Sequence, residues 1–154
     1  MSKRLKLISI ALLALLIIAY AAFTAFAPAM IEKSLNKNLA YTPLHISADI
    51  KALHDKLTIM DWHADTLLWN RDFLEQADFG QVDLPRLKKG GMNIQMLTTV
   101  TKSPSGQNYD QNTSDSSDNI TLLAVAQGWP VNTWGSLLER ALFQAKKLDD
   151  TVTR

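Results

Sequence analysis

The hydrophobic pattern opens as a block, not a rhythm. From Leu7 to Ala27, "LISIALLALLIIAYAAFTAFA", 21 consecutive residues carry no charge. A helix needs roughly 20 such residues to cross the hydrocarbon core of a bilayer. Residues 28–46 are mixed and polar, contain Pro28 and Pro43, and read as a connector. Periodicity starts after Ser47, a capping residue type. There "ADIKALHDKL" sets Ile50, Leu53 and Leu57 on one helical face. "LTIMDW" then reads as a short strand, apolar and β-branched. "RDFLEQADFGQ" is charged and has no clear period.

"DLPRLKKGG" marks both ends of a short helix. Asp83 suits the N-cap, Pro85 the first turn, Lys88 and Lys89 the carbonyl end, and Gly90 a left-handed stop. Met92–Val100 is a second strand, whose imperfect alternation fits a strand covered on both faces. Residues 101–119 contain almost no large aliphatics and read as a long exposed loop. Two helices follow. The first is capped by Asp118 and stopped by Gly128. The second opens on a Ser136-x-x-Glu139 capping box. In the second, Leu137, Leu138, Ala141, Leu142, Ala145 and Leu148 form a stripe at helical spacing, expected to be core. Strand, short helix, strand, loop and helices suit an α/β fold with a parallel sheet. The pattern divides the chain into residues 1–27, a connector at 28–46, and a folded part at 47–154.

Charge changes the picture at the N-terminus. Lys3, Arg4 and Lys6 precede the apolar block, and the remainder carries 13 basic and 15 acidic side chains. Basic residues before a span stay cytoplasmic, so the folded part lies across the membrane. A cleavable signal peptide is the rival reading, with small-x-small sites at Ala19-Tyr20-Ala21 and Ala25-Phe26-Ala27. Pro28 hinders cleavage at the second site. A buried soluble helix is the third reading. No basic stripe with interleaved aromatics points to nucleic acid. The absence of cysteine excludes disulfides, thiolate metal sites and a cysteine nucleophile. Asn-x-Ser/Thr patterns stand at Asn112 and Asn119 but are common by chance.

The chemistry concentrates in "MDWHAD". Asp61, His63 and Asp65 alternate, so a continuous strand points them to one side. His63 and Asp65 fall at the strand's C-terminal end, where parallel α/β barrels carry their sites. An imidazole nitrogen and a carboxylate oxygen two residues apart can reach one divalent ion, and zinc accepts both. The bland alternative is a hydrogen-bonded structural histidine, since His-x-Asp recurs by chance. His45 and His54 lack this context and read as surface residues. Trp62 and Trp69 read as packing residues, with pocket lining as the alternative.

"MDWHADTLLW" followed by "VDLPRLKKGGMNIQMLTTVTKSP" resembles the start of the membrane dipeptidases, also called renal-type dipeptidases. Asp61, His63, Asp65, Asp83, Leu84, Pro85, Gly90 and Gly91 match that family's opening in type and order. The resemblance extends through "DNITLLAVAQGWP" and "TWGSLLERALFQAKKL", from about Ser47 onward. It implies a zinc-dependent hydrolase on a (β/α)8 TIM barrel with two zinc ions, hydrolysing dipeptides through a metal-bridged water. His63 and Asp65 would hold one ion. A homodimer of the complete enzyme is compatible with it.

The chain departs from that pattern. Its glutamates are Glu32, Glu75 and Glu139, none followed by Gly, and no histidine follows His63. The resemblance implies a glutamate in a Glu-Gly context that bridges the two ions, and later histidines for the second; neither has a counterpart, and such barrels need about 250 residues. The chain therefore reads as an N-terminal portion of such an enzyme, inactive alone, with no catalytic residue of its own beyond the metal ligands. Another amidohydrolase-like barrel hydrolase, or a non-catalytic membrane-anchored interaction protein, are the alternatives.

Overall fold

The computed structural model describes residues 2–107, 109, 110, 113 and 115–154. Among the described residues there are five α-helices, two 3-10 turns and one two-stranded parallel sheet.

Helix α1 runs from Lys3 to Leu35, well past the end of the apolar block. Its most apolar 18-residue window has mean hydropathy 2.6 and no buried residue, so it is long and apolar enough to cross a membrane. Pro28 does not end it. Proline removes the amide that would bond the Thr24 carbonyl. The Thr24 hydroxyl meanwhile bonds back to the Tyr20 and Ala21 carbonyls at 3.1 Å each. Residues 28–35, expected as connector, are thus two further helical turns, and of the expected connector residues 36–46 alone lack regular structure. Helix α2 spans Ala48–His54; Ser47 stands at its N-cap position without a side-chain cap bond, and Leu57, expected on its face, lies past its end.

Strand β1 covers Ile59–Ala64 and β2 covers Met92–Leu97. They pair in parallel, with Asp61 opposite Gln95 and Ala64 opposite Leu97. β1 starts and ends two residues later than expected, because the chain is still turning after α2 at Leu57. The shift places both Asp61 and His63 inside the strand. β2 stops before Val100. There the side-chain amide of Gln144 replaces a strand partner, accepting from the Val100 amide and donating to its carbonyl at 3.0 Å each. The described residues hold these two strands and no closed barrel, so the architecture is mixed α/β with a small parallel sheet.

The crossover between the strands contains a 3-10 turn at Thr66–Leu68 and helix α3, Leu84–Lys89. Asp83 caps α3 as its sequence position implies. Fully buried, it accepts from the Arg86 amide at 3.0 Å, the Ala77 amide at 3.2 Å and Arg86 Nε at 2.7 Å. The left-handed residue is Gly91 (φ 72°), not Gly90 (φ −79°). A Cβ on Gly91 would come within 2.8 Å of the His54 ring, so backbone and space both require glycine there.

Helices α4, Asn119–Ala126, and α5, Leu137–Val152, close the fold. Leu68, Ile120, Ala124 and Trp129 form the buried core, with Phe143 against it. The Trp129 and Phe143 rings stand 4.8 Å apart, tilted. The expectation for α5 is overturned. Its buried residues are Arg140 and Gln144, while Leu138 (66 % exposed) and Leu142 (54 %) face outward. Polar atoms turn inward because the loops beneath α5 present unpaired carbonyls. Arg140 donates to the carbonyls of Thr101, Thr133 and Trp134 at 2.7 Å each, and to Asp118. Asp118 also caps α4 and accepts from the Ser103 amide, tying the base of the 101–118 loop to the helices. The acceptor pattern at Asn112 lies outside the described residues. Asn119 opens α4 and is exposed.

Candidate functional site

The parallel pairing brings the C-terminal ends of both strands together, and this end carries the alternating acid–imidazole–acid run. Asp61 lies beside Gln95, whose amide donates to Asp61 Oδ2 at 2.7 Å. That bond, with the His63 amide on Oδ1, holds the Asp61 carboxyl below its usual range. Asp61 is therefore a strand-pairing residue. Its carboxylate is committed to the neighbouring strand rather than to a common point with the other two.

His63 and Asp65 do meet. His63 Nε2 stands 3.2 Å from Asp65 Oδ1, with the imidazole 70 % exposed and the carboxylate 45 % exposed. Asp65 is the residue just past β1 and leads the 3-10 turn. Thr98, just past β2, fixes it: the Thr98 amide donates to the Ala64 carbonyl at 3.0 Å and its hydroxyl to Asp65 Oδ1 at 2.5 Å. Neither Gln95 nor Thr98 stands out in the sequence. Their signal is the register itself, which seats the end of one strand beside the end of the other.

The donor pair can be tested against a zinc ion. Two ligands about 2.0–2.2 Å from a tetrahedral ion lie about 3.3–3.6 Å apart. The observed 3.2 Å is close to that spacing, and it equally suits an imidazole–carboxylate hydrogen bond. Donor types and exposure fit one side of an ion's shell. The rest of the shell is not here: among the described residues, no three His, Asp or Glu side chains converge. His45 is exposed in the segment before α2, and His54 lies beside Asp55 and against Gly91, so neither joins His63. Trp62, expected to pack, is 67 % exposed on the opposite face of the strand. Trp69 does pack, against the core.

A second polar cluster escaped the sequence reading. Glu32, on α1, is buried, and its Oε1 lies 3.0 Å from Arg71 Nε. The distance is that of an ion pair, but the Arg71 N–H does not point at the oxygen, which has no hydrogen-bond partner. The Arg71 guanidinium also donates to the Phe79 carbonyl at 3.3 Å and to Thr66 Oγ1 at 3.0 Å. Lys147, on α5, donates to the carbonyls of Leu67 and Trp69 at 2.7 and 2.6 Å. Burial pushes its ammonium down to about 8, against the pull of Glu32. Glu32, Arg71 and Lys147 thus join α1, the turn after β1 and α5. The available clue was that Glu32 is the only acidic residue before Asp49.

Comparison with protein-family models, curated proteins and solved structures finds no match.

Proposed function

We propose that this chain supplies part of a metal-dependent hydrolase, and specifically the N-terminal, membrane-held portion of a zinc dipeptidase of the membrane dipeptidase type. The observation that carries the reading is the His63–Asp65 pair, 3.2 Å apart and open to solvent at the C-terminal edge of a parallel strand pair. A strand–crossover–strand unit of this kind is what a (β/α)8 barrel repeats, and the barrel is part of the proposal. His63 and Asp65 would hold one zinc ion, with Thr98 fixing the carboxylate and Gln95 keeping Asp61 out of the set. Zinc in such a site acts as a Lewis acid toward a peptide carbonyl and acidifies water. The further ligands, and a dipeptide-binding pocket, would come from polypeptide outside these 154 residues. Uncovered apolar side chains support that incompleteness: Trp62, Ile94 and Met96 on the sheet and Leu138 and Leu142 on α5 lack a covering layer. In this reading α1 anchors the folded part on the extracytoplasmic side, by the charge rule applied to Lys3, Arg4 and Lys6.

Zinc titration of the full chain in detergent tests the proposal. Weak binding is expected, lost in both His63→Ala and Asp65→Ala, with no dipeptide turnover. Binding that survives both substitutions would place any metal elsewhere. Tight stoichiometric zinc with turnover by this chain alone would overturn the half-site reading. A partner that co-purifies in stoichiometric amount and competes with no metal would favour the non-catalytic alternative.

A further inference from the structure

The face of α1 turned toward the folded part consists of Thr24, Ala27, Pro28, Ile31 and Glu32, while residues 2–23 are exposed throughout. The spacing of three and four is that of one helical stripe. It is locked at its far end, where the Gly80 amide donates to the Asn36 carbonyl at 2.7 Å and Arg71 pairs with Glu32. Its near end lies inside the apolar block. A cavity of about 250 Å³ is lined by Thr24, Ala25 and Pro28 from α1 and by Asn70, Arg71 and Phe79 from the folded part.

Length then decides where a membrane boundary falls. At about 1.5 Å per residue, Leu7–Ala27 spans about 31 Å, close to the roughly 30 Å of a hydrocarbon core. The stretch free of contact, Leu7–Phe23, spans only about 25 Å. A bilayer around α1 therefore overlaps the docked stripe by about one turn. On that turn Phe26 (69 % exposed), and one turn further Met30 (71 %), present apolar surface to the lipid and headgroup side.

We infer that the folded part sits directly on the outer leaflet, with its Asn70–Arg71 and Phe79 edge at headgroup level and the bilayer surface as its partner. The contact is one of position and apolar cover rather than of charge. The Arg71 side chain is only 10 % exposed and lies against Glu32, the Phe79 carbonyl and Thr66 rather than turning to solvent. The inference rests on α1 being a membrane span.

The chain has no cysteine, so single nitroxide labels need no background removal. Full-length chain carrying Ala14→Cys, Asn70→Cys or Lys56→Cys is labelled and placed in phosphatidylethanolamine–phosphatidylglycerol nanodiscs. Collision rates with oxygen and with a water-soluble nickel chelate give depth. Ala14 should read as deep hydrocarbon, and Asn70 should be at least about threefold less open to nickel than Lys56. Equal nickel access at Asn70 and Lys56, with Ala14 still shielded, overturns the seat while leaving the span intact. Nickel access at Ala14 overturns the span and the seat with it. Because Asn70 bonds the Gln127 carbonyl, a photo-crosslinker at Phe79 serves as a second probe. Lipid adducts on illumination support the seat, and their absence opposes it.

Discussion

At the scale of single residues, the strongest device is the pairing of Arg140 with Asp118. Arg140 is 1 % exposed and spends its donors on carbonyls, the Thr121 hydroxyl and the Asp118 carboxylate. Burial alone would raise the Asp118 carboxyl. The Ser103 amide, the Arg140 guanidinium and the Ile120 amide outweigh it and bring it down to about 2. A carboxyl held below its unfolded value stabilises the fold at pH above about 4, and loses that contribution as pH falls toward 2. The shift corresponds to roughly 2 kcal/mol. Asp118→Asn should cost about 3–5 kcal/mol near neutrality, since it leaves a buried guanidinium unpaired. It should also flatten the loss of stability between pH 4 and 2. Urea midpoints in detergent at several pH values check both, and an unchanged acid slope would remove Asp118 from this role. Asp118 was legible in the sequence as a cap. Its partner was not, because an arginine on a helix reads as solvent-facing until the loops beneath it are seen to present bare carbonyls.

At the scale of elements, what reads from sequence is what depends on neighbours along the chain. The caps at Asp83, Asp118 and Ser136 each accept the expected amide, and the two strands lie within two or three residues of their expected positions. What fails to read depends on contacts across the chain. α1 outlasts its apolar block because Glu32 and Asn36 are held by Arg71 and Gly80, some 40 residues on. Gly80 is the sensitive point of that dock. Its φ is 73°, and a Cβ there would meet Arg71 Nη1 at 2.6 Å. Gly80→Ala should cost roughly 1–2 kcal/mol for the left-handed backbone alone, and more as Arg71 is pushed off Glu32. Amide exchange in residues 29–36 should then accelerate while α4 and α5 stay protected. Uniform acceleration across the chain would mean that α1 is not separately docked.

At the scale of the whole molecule, the candidate site and the surface tell one story from different sides. The approach of His63 to Asp65 at the end of "DWHAD" was legible because period-two spacing survives in β1. Nothing in the sequence shows that Asp61 is diverted to Gln95, or that Thr98 pins Asp65. The faces around the site are less closed than a finished core. Trp62, Ile94 and Met96 are open on the sheet, and α5 turns Leu138 and Leu142 outward although their stripe has the spacing of a buried face. If further polypeptide completes the site, that polypeptide also covers these side chains, and within this chain they add little to stability. Leu138→Gln with Leu142→Gln should then shift stability by no more than about 0.5 kcal/mol per site, the usual range for surface positions. A leucine packed in a core would instead cost about 2–5 kcal/mol on truncation. The same double substitution should reduce self-association of the chain in detergent, because it removes contiguous apolar surface. Denaturation midpoints and sedimentation measured together separate the cases. Little change in midpoint with less association fits a face waiting for cover. A loss of several kcal/mol would show that α5 already packs its apolar stripe in this chain, and would remove the uncovered surface as support for a larger enzyme.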